Sequence, residues 1–571
     1  MKKNIFSTLT LTTTLLLSSC MDFEPEAELS DTQVWTSATN FQLFANQFYG
    51  YLRDISSGSN YQYGVSDGVH SDLRSDLCCQ QNLNAYSAGT NSIPESDGNY
   101  TSLYKRIYYT NLLLDRAKSY SNQNEIVTPI AEAKFFRAYL YFELVQIYGD
   151  AILVTTPLDL DADELKATRN NRSEIIDLCV ADLTEAADML PETPSEIGRL
   201  CKDAALAMLS RVGLYEGTWQ KFHNNNTSRA TQLLTIAKES AAKVIAGGRY
   251  KLFYSDVLGT ESYRYMFILE DTKCNPAGLT TADNTEYILA RRHRIEDKLG
   301  LNITKAYLGN AIYPTRKLAN MYRCQDGLPI DKSPIFQGYT GVLTEYQSRD
   351  NRMLTTLLPH GTKCWNNTAN NCREAWDETD EARALTSGVT ANSGYQTHKW
   401  AVERYVADYY ESMDYPVIRY AEVLLNYAEA TYEIDEQISD ADLDLSLNIV
   451  RLRINPNMTK LSNALVSANN LSMREEIRAE RTVELVFEGY RIDDLKRWKT
   501  AETEMPQDQL GILYTGTWFE TNWTSQSRSL NSDGCIIMYD GRVWNQKHYL
   551  YPLPSDQLQL NPNLQQNPGW E

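Results

Sequence analysis

Residues 131–148 read AEAKFFRAYLYFELVQIY, and that run leaves a chain few ways to fold. At helical spacing Phe135, Tyr139, Phe142 and Val145 form one stripe, and Phe136, Leu140, Leu144 and Ile147 form a second. A helix with so wide an apolar face needs neighbours on two sides. The same period recurs over 173–190 and 202–219, with smaller residues over 230–246, and over 419–433, where Ala421, Leu424, Leu425 and Ala428 face inward. Alanines at such positions let helices approach closely. Antiparallel pairs packed through small and aromatic residues predict a mainly α fold, an irregular tetratricopeptide-like helical-repeat scaffold. The pairs are interrupted: no strict repeat period survives along the chain.

The interruption is large. Residues 253–416 are rich in Gly, Asn, Thr, Pro and Trp, with short strand-like runs such as 286–290. A loop-rich region that long inside a compact protein is usually functional. A second loop-rich block, 506–545, carries Trp518, Trp523 and Trp544.

The N-terminus sets location. Lys2 and Lys3 precede an apolar stretch from Ile5 to Leu17, and Ser18 and Ser19 lead into Cys20. The stretch is too short for a spanning helix and reads as a secretory signal. Leu17-Ser18-Ser19-Cys20 resembles a bacterial lipobox, in which the cysteine becomes the first mature residue and carries lipid. Each buried CH₂ contributes roughly 0.8 kcal/mol, and stable anchoring takes more than one chain. Asp22, Glu24, Glu26 and Glu28 follow at once and resemble the export tag of surface lipoproteins in Bacteroidetes-type bacteria.

A net charge of −20 over 571 residues, with no basic run, argues against a nucleic-acid partner. Of ten cysteines, Cys179, Cys201 and Cys324 sit in helical or mixed patterns and read as buried thiols. Cys364 and Cys372, in a polar loop, are the expected disulfide pair. Gly64-Val65-Ser66-Asp67-Gly68 matches a hydrolase elbow in letters, but the polar stretch before it is no buried strand. Asp159, Asp161 and Asp163 begin like a calcium loop, yet its sixth position is Glu164 and its twelfth is Asn170, so a solvated turn is the better reading. The sequence calls for no cofactor, and a structural calcium has no support in it.

Residues 477–498 read IRAERTVELVFEGYRIDDLKRW. Glu480, Arg481, Glu484 and Glu488 fall on neighbouring turns of a helix that Gly489 can cap, and Arg491, Asp494 and Arg497 follow on a second short helix. The spacing predicts a self-paired charge network joining two helices. A catalytic Glu484–Glu488 pair is disfavoured, because three arginines stand close enough to neutralise it. This segment, the Cys20 lipobox, the run from Ala131 to Leu158, PVIRYAEVLLNYAEA from Pro416, and the tail YPLPSDQLQLNPNLQQNPGW together resemble the SusD/RagB family of outer-membrane nutrient-binding lipoproteins. The resemblance implies a scaffold of about four helix pairs bearing a loop-rich ligand portion. It also implies a SusC-like TonB-dependent transporter as partner, which the lipoprotein covers as a hinged lid. The expected organisation is a signal peptide over 1–19, an N-terminal half over 20–260 with a ligand loop at 60–99, a loop-rich insert over 261–415 and a C-terminal half over 416–571.

Glycans present flat apolar faces flanked by hydroxyls, so a binder needs exposed aromatic rings rimmed by polar groups. The candidates are Asp67, Asp72, Arg74, Asn82 and Tyr86 in the first loop and Trp365, Trp376, Tyr395 and Trp400 in the insert. The expected function is capture of oligosaccharide or polysaccharide at the cell surface, without covalent chemistry, and its delivery to the transporter. Peptide cargo is the alternative on the same fold. A surface glycosidase would need a carboxylate pair at set separation, which the spacing does not single out. Replacing Cys20 by Ala should move the chain from the detergent phase to the aqueous phase in Triton X-114 partitioning, and should abolish palmitate labelling.

Overall fold

Helices α1 (Ala38–Asn46), α2 (Gly98–Ala117) and α3 (Val127–Tyr148) open the computed structural model. It describes residues 35–55, 69–80, 82–159, 161–296, 300–304, 312–364, 383–384, 393–404, 409–524 and 527–571. The doubly striped helix is α3. From Ala131 to Tyr148 only Lys134 escapes burial. Helix α2 covers one flank, α4 (Arg172–Met189) the other, and α1 packs against it as well. Gly149 ends it at φ 77°; a β-carbon there would sit 2.7 Å from the Leu550 side chain, so the turn needs glycine.

The stack continues. Helix α5 (Lys202–Phe222) packs on α4, and α6 (Thr227–Gly247) packs on α5. Asn226 caps α6 by accepting from the Arg229 N–H. The approach of α5 to α6 is close because Gly213 faces it: a β-carbon would lie 2.7 Å from the Leu233 carbonyl oxygen. The strands are short and all antiparallel. β1 (Cys78–Cys79) pairs with β3 (Tyr313–Pro314), and β2 (Tyr287–Arg291) pairs with β6 (Tyr415–Arg419). β4 (Lys363–Cys364) pairs with β5 (Arg383–Ala384), and β7 (Gln509–Leu513) pairs with β8 (Cys535–Tyr539). Helix α7 (Arg316–Met321) lies on β7. Strand β6 runs directly into α8 (Tyr420–Asp435), which packs on α5 and α6. Helix α9 (Met473–Leu485) packs on α8, and α10 (Arg491–Arg497) returns to α5. The architecture is the expected helical-repeat scaffold with few short strands.

Two expectations about the charged segment need correction. Helix α9 stops at Leu485, four residues before Gly489, and Phe487 takes φ 62°. The Glu484 carbonyl, which a continuing helix would offer to the Glu488 N–H, instead accepts from Tyr263 Oη and Arg419, and the next carbonyls are taken by Lys399 Nζ at Val486, Trp400 Nε1 at Phe487 and Tyr415 Oη at Glu488. The charges are not mainly self-paired either. Arg481 and Arg497 do reach Asp494. Glu484, however, accepts from Arg352 at 2.9 Å, Arg419 at 2.7 Å and Arg453 at 2.5 Å. Arg419 also holds Glu286 and Glu488, Arg491 holds Asp76, and Arg497 holds Glu429. Helical spacing puts like-numbered neighbours on one face; here that face points at other elements rather than at itself.

Cys179, Cys201 and Cys324 are free buried thiols, as expected, as are Cys78, Cys79 and Cys535, and Cys274 is buried as well. Cys372 lies outside the described residues. Among the described residues no helix is long and apolar enough to cross a membrane.

Removing one partner from a buried ion pair strands the other in low dielectric, which costs about 3–5 kcal/mol. Glu484→Ala should therefore lower unfolding stability by that order in guanidinium titration. Glu475→Ala, on the exposed face of the same helix, should stay within roughly 0.5 kcal/mol of the parent.

Candidate ligand-binding face

Between β7 and β8 runs a long excursion, described over residues 514–524 and 527–534, that carries half-buried rings. Thr517 caps its short helix, Trp518–Asn522, by accepting from the Phe519 N–H. Trp518 and Phe519 are half-buried, with ring centroids 5.7 Å apart at 89°. Phe519 meets the buried Trp523 at 4.5 Å. Tyr514 Oη donates to the Trp523 carbonyl and fixes the base of the excursion. The Trp518 N–H donates to Thr340 at 3.0 Å, tying in the loop that carries Phe336 and Tyr339, themselves 5.1 Å apart. His360 stands 5.7 Å from Trp518. Rings from three separate loops thus gather on one face.

Two glycines bring the insert onto the hairpin. A β-carbon on Gly511 would lie 2.2 Å from the Ser393 carbonyl oxygen, and one on Gly394, at φ 83°, would lie 2.7 Å from Ile512. The Ile512 N–H donates to Ser393 at 2.8 Å. Segment 393–404 is therefore seated against β7, beside the face.

Cations line the same face. The Arg316 guanidinium lies 4.3 Å from the Tyr339 ring centroid. Arg528 lies 5.2 Å from Trp523 and 5.9 Å from Tyr514. Arg349, beneath, stands 5.3 Å from Phe336 and donates to the carbonyls of Glu345, Ala319 and Tyr322.

The sequence candidates divide. Cys20, Asp67, Trp365 and Trp376 lie outside the described residues. Asn82 is exposed. Arg74 is half-buried, 5.2 Å from the rings of both Tyr86 and Tyr551. The other four are interior residues, and the expectation that they present an open ligand surface is corrected. Tyr86 stacks on Tyr551 at 4.9 Å, and its Oη donates to the His548 carbonyl. Tyr395 Oη donates to the buried Glu345. Trp400 packs between Phe267 and Tyr415, with its Nε1–H on Phe487. Asp72 accepts from the Gly489 N–H. His70, beside the elbow-like motif, is buried between Glu143 at 2.7 Å and Asp493 at 2.9 Å. Asp159, Asp161 and Asp163 are exposed, with Asp163 opening a short 3-10 helix, Asp163–Lys166. Trp518 and Phe519 went unchosen in the sequence, although adjacent aromatics behind a Thr cap inside a loop-rich block were a readable signal.

The chain matches the SusD family model over residues 277–570, more than half its length. It belongs to the SusD family. Residues 21–214 match a further family model described as starch-binding associating with outer membrane. A SusD-like protein of Formosa agariphila is 24% identical over 79% of this chain and 75% of its own, and another is 21% identical over 87% and 92%. A SusD-like carbohydrate-binding protein from Bacteroides fragilis superposes with a TM-score of 0.71 at 23% identity, covering 93% of this chain and all of its own. Surface glycan-binding protein A from Bacteroides fluxus superposes with a TM-score of 0.60 at 18% identity, covering 94% of this chain and 100% of its own.

The family's loop frame carries a pH signature here. Burial pushes the Asp72 carboxyl up to about 7, against the opposing N–H groups of Gly489, Phe487 and Arg491 and the charge of Lys399. The native state therefore keeps a proton that the unfolded chain releases near pH 4. The stability this contributes is full below that value and is lost as pH rises towards 7. Asp72→Asn should flatten the decline in melting temperature between pH 4 and 7. Glu143 and Glu429 are buried too, but their arginine partners hold them at about 2, so they act below that window.

Proposed function

We propose that this SusD-family chain is a lipid-anchored glycan-binding protein of the outer-membrane surface. It captures oligosaccharide or polysaccharide on the Trp518–Phe519–Tyr339 face and passes it to a SusC-like TonB-dependent transporter. The gathering of half-buried rings from three loops on one face carries the reading, because ring faces cover the apolar faces of sugars while loop polar groups meet the hydroxyls. The descriptions of its relatives as carbohydrate- and glycan-binding proteins support it, as does the second family model's reference to starch and the outer membrane. The Cys20 lipobox supports the anchor.

Binding involves no bond making. The carboxylate pair weighed as an acid/base couple, Glu484 and Glu488, is buried and each member is saturated by guanidinium or ammonium groups, which suits support rather than proton transfer. Capture raises the ligand concentration above the barrel, and the energy for uptake comes through the transporter.

Trp518→Ala should weaken the best ligand of a glycan array roughly tenfold, equivalent to about 1.4 kcal/mol, in isothermal titration. Trp400→Phe should leave affinity unchanged. Binding of a peptide pool in place of every glycan would turn the reading towards peptide cargo.

A further inference from the structure

Many buried guanidiniums in this molecule take a carboxylate: Arg172 with Glu216, Arg211 with Glu422, Arg352 with Asp350, Arg491 with Asp76. Two half-buried arginines of the ligand face do not, in a chain whose net charge is −20. Arg316 and Arg528 lie on aromatic rings, and neither forms an ion pair among the described residues. Arg316 Nη1 and Arg528 Nε have no hydrogen-bond partner, as is also true of single nitrogens on Arg172, Arg349 and Arg451. Glu345, the carboxylate nearest in effect to Arg316, is committed to Tyr395 Oη. Two further acids stand on the excursion: Glu520, which accepts from the Gly516 N–H, and the exposed Asp533.

A guanidinium over a ring and outside any ion pair can turn its edge donors to a ligand, and their fork geometry fits the paired oxygens of a carboxylate or sulfate. A half-buried cation with no direct ion pair is also less well solvated, so an incoming anion is favoured there over water. We infer that this face selects acidic oligosaccharides, with Arg316 and Arg528 holding a sugar carboxylate or sulfate while the neighbouring rings stack the sugar. This rests on the glycan-binding reading and names the ligand's charge. The rings alone would accept neutral and acidic sugars alike; the two arginines make the difference.

The test uses the full chain in detergent micelles and three matched pairs: polygalacturonate with its carboxyl-reduced form, κ-carrageenan with its desulfated form, and chondroitin sulfate with its desulfated, carboxyl-reduced form. At least one acidic parent should bind tenfold or more tighter than its neutral counterpart, and which parent does so separates carboxylate from sulfate. That preference should shrink at high salt. Arg316→Gln with Arg528→Gln should abolish the preference and leave any neutral binding intact, while Arg316→Lys with Arg528→Lys should retain part of it. Matching melting temperatures for the two double variants would exclude misfolding as the cause. Neutral forms binding as well as their parents, or a preference that survives the Gln variants, would overturn the inference and leave the glycan reading standing. Binding to no member of the panel would overturn both.

Discussion

Glu484 is the point on which the molecule closes. Burial pushes its carboxyl pKa up, but Arg453, Arg419 and Arg352 outweigh that and hold it well below the usual carboxylate range. These three arginines arrive from different parts of the chain. Arg352 comes from the loop-rich insert, Arg419 from the end of β6 and Arg453 from the segment after α8. Arg419 then hands the network on to Glu488 and Glu286, and Lys399 joins at Glu488. A cluster of this kind is stable only when every member is in place, since each absent partner leaves a charge in low dielectric.

The loops inherit their positions from that closure. The turn after α9, with Phe487 and Gly489 at positive φ, offers N–H groups to Asp72 from the first loop and carbonyls to Lys399 and Trp400 from the insert. Segment 393–404 is thus fixed at one end by the charged turn and at the other by the Gly394–Gly511 contact with the hairpin. Two loop systems distant in sequence share one anchor, and the aromatic face forms beside it.

Much of the scaffold was legible because a helix packed on two sides writes its environment into a single stretch of sequence. The two stripes of α3 are local information, and so is the strand-like run that became β2. The loops are different. Whether an aromatic in a loop faces water depends on a partner found far away: Tyr86 is hidden by Tyr551, and Trp400 by Phe267 and Tyr415. The same holds for the charges. Residue spacing showed that Glu484 and Glu488 would be neutralised, and that was right, but the neutralising groups came from Arg352, Arg419 and Lys399 rather than from the adjacent helix. Periodicity reports burial; it does not report which distant element supplies it.

The division between frame and face has a physical reason. An apolar contact tolerates sliding by an ångström or two, whereas a buried ion pair does not, because displacement exposes charge to an environment that cannot solvate it. A frame closed by ion pairs therefore holds its loops in one register even when those loops differ in length and composition. Among the described residues no hydrogen bond joins the β7–β8 excursion to the Glu484 cluster; it meets the rest of the molecule through Thr340 and His360. Residues such as Trp518 and Arg528 can change there without stranding a buried charge. Ligand preference in this architecture is thus free to vary at the tip, while the charged turn at residues 484–489 is not.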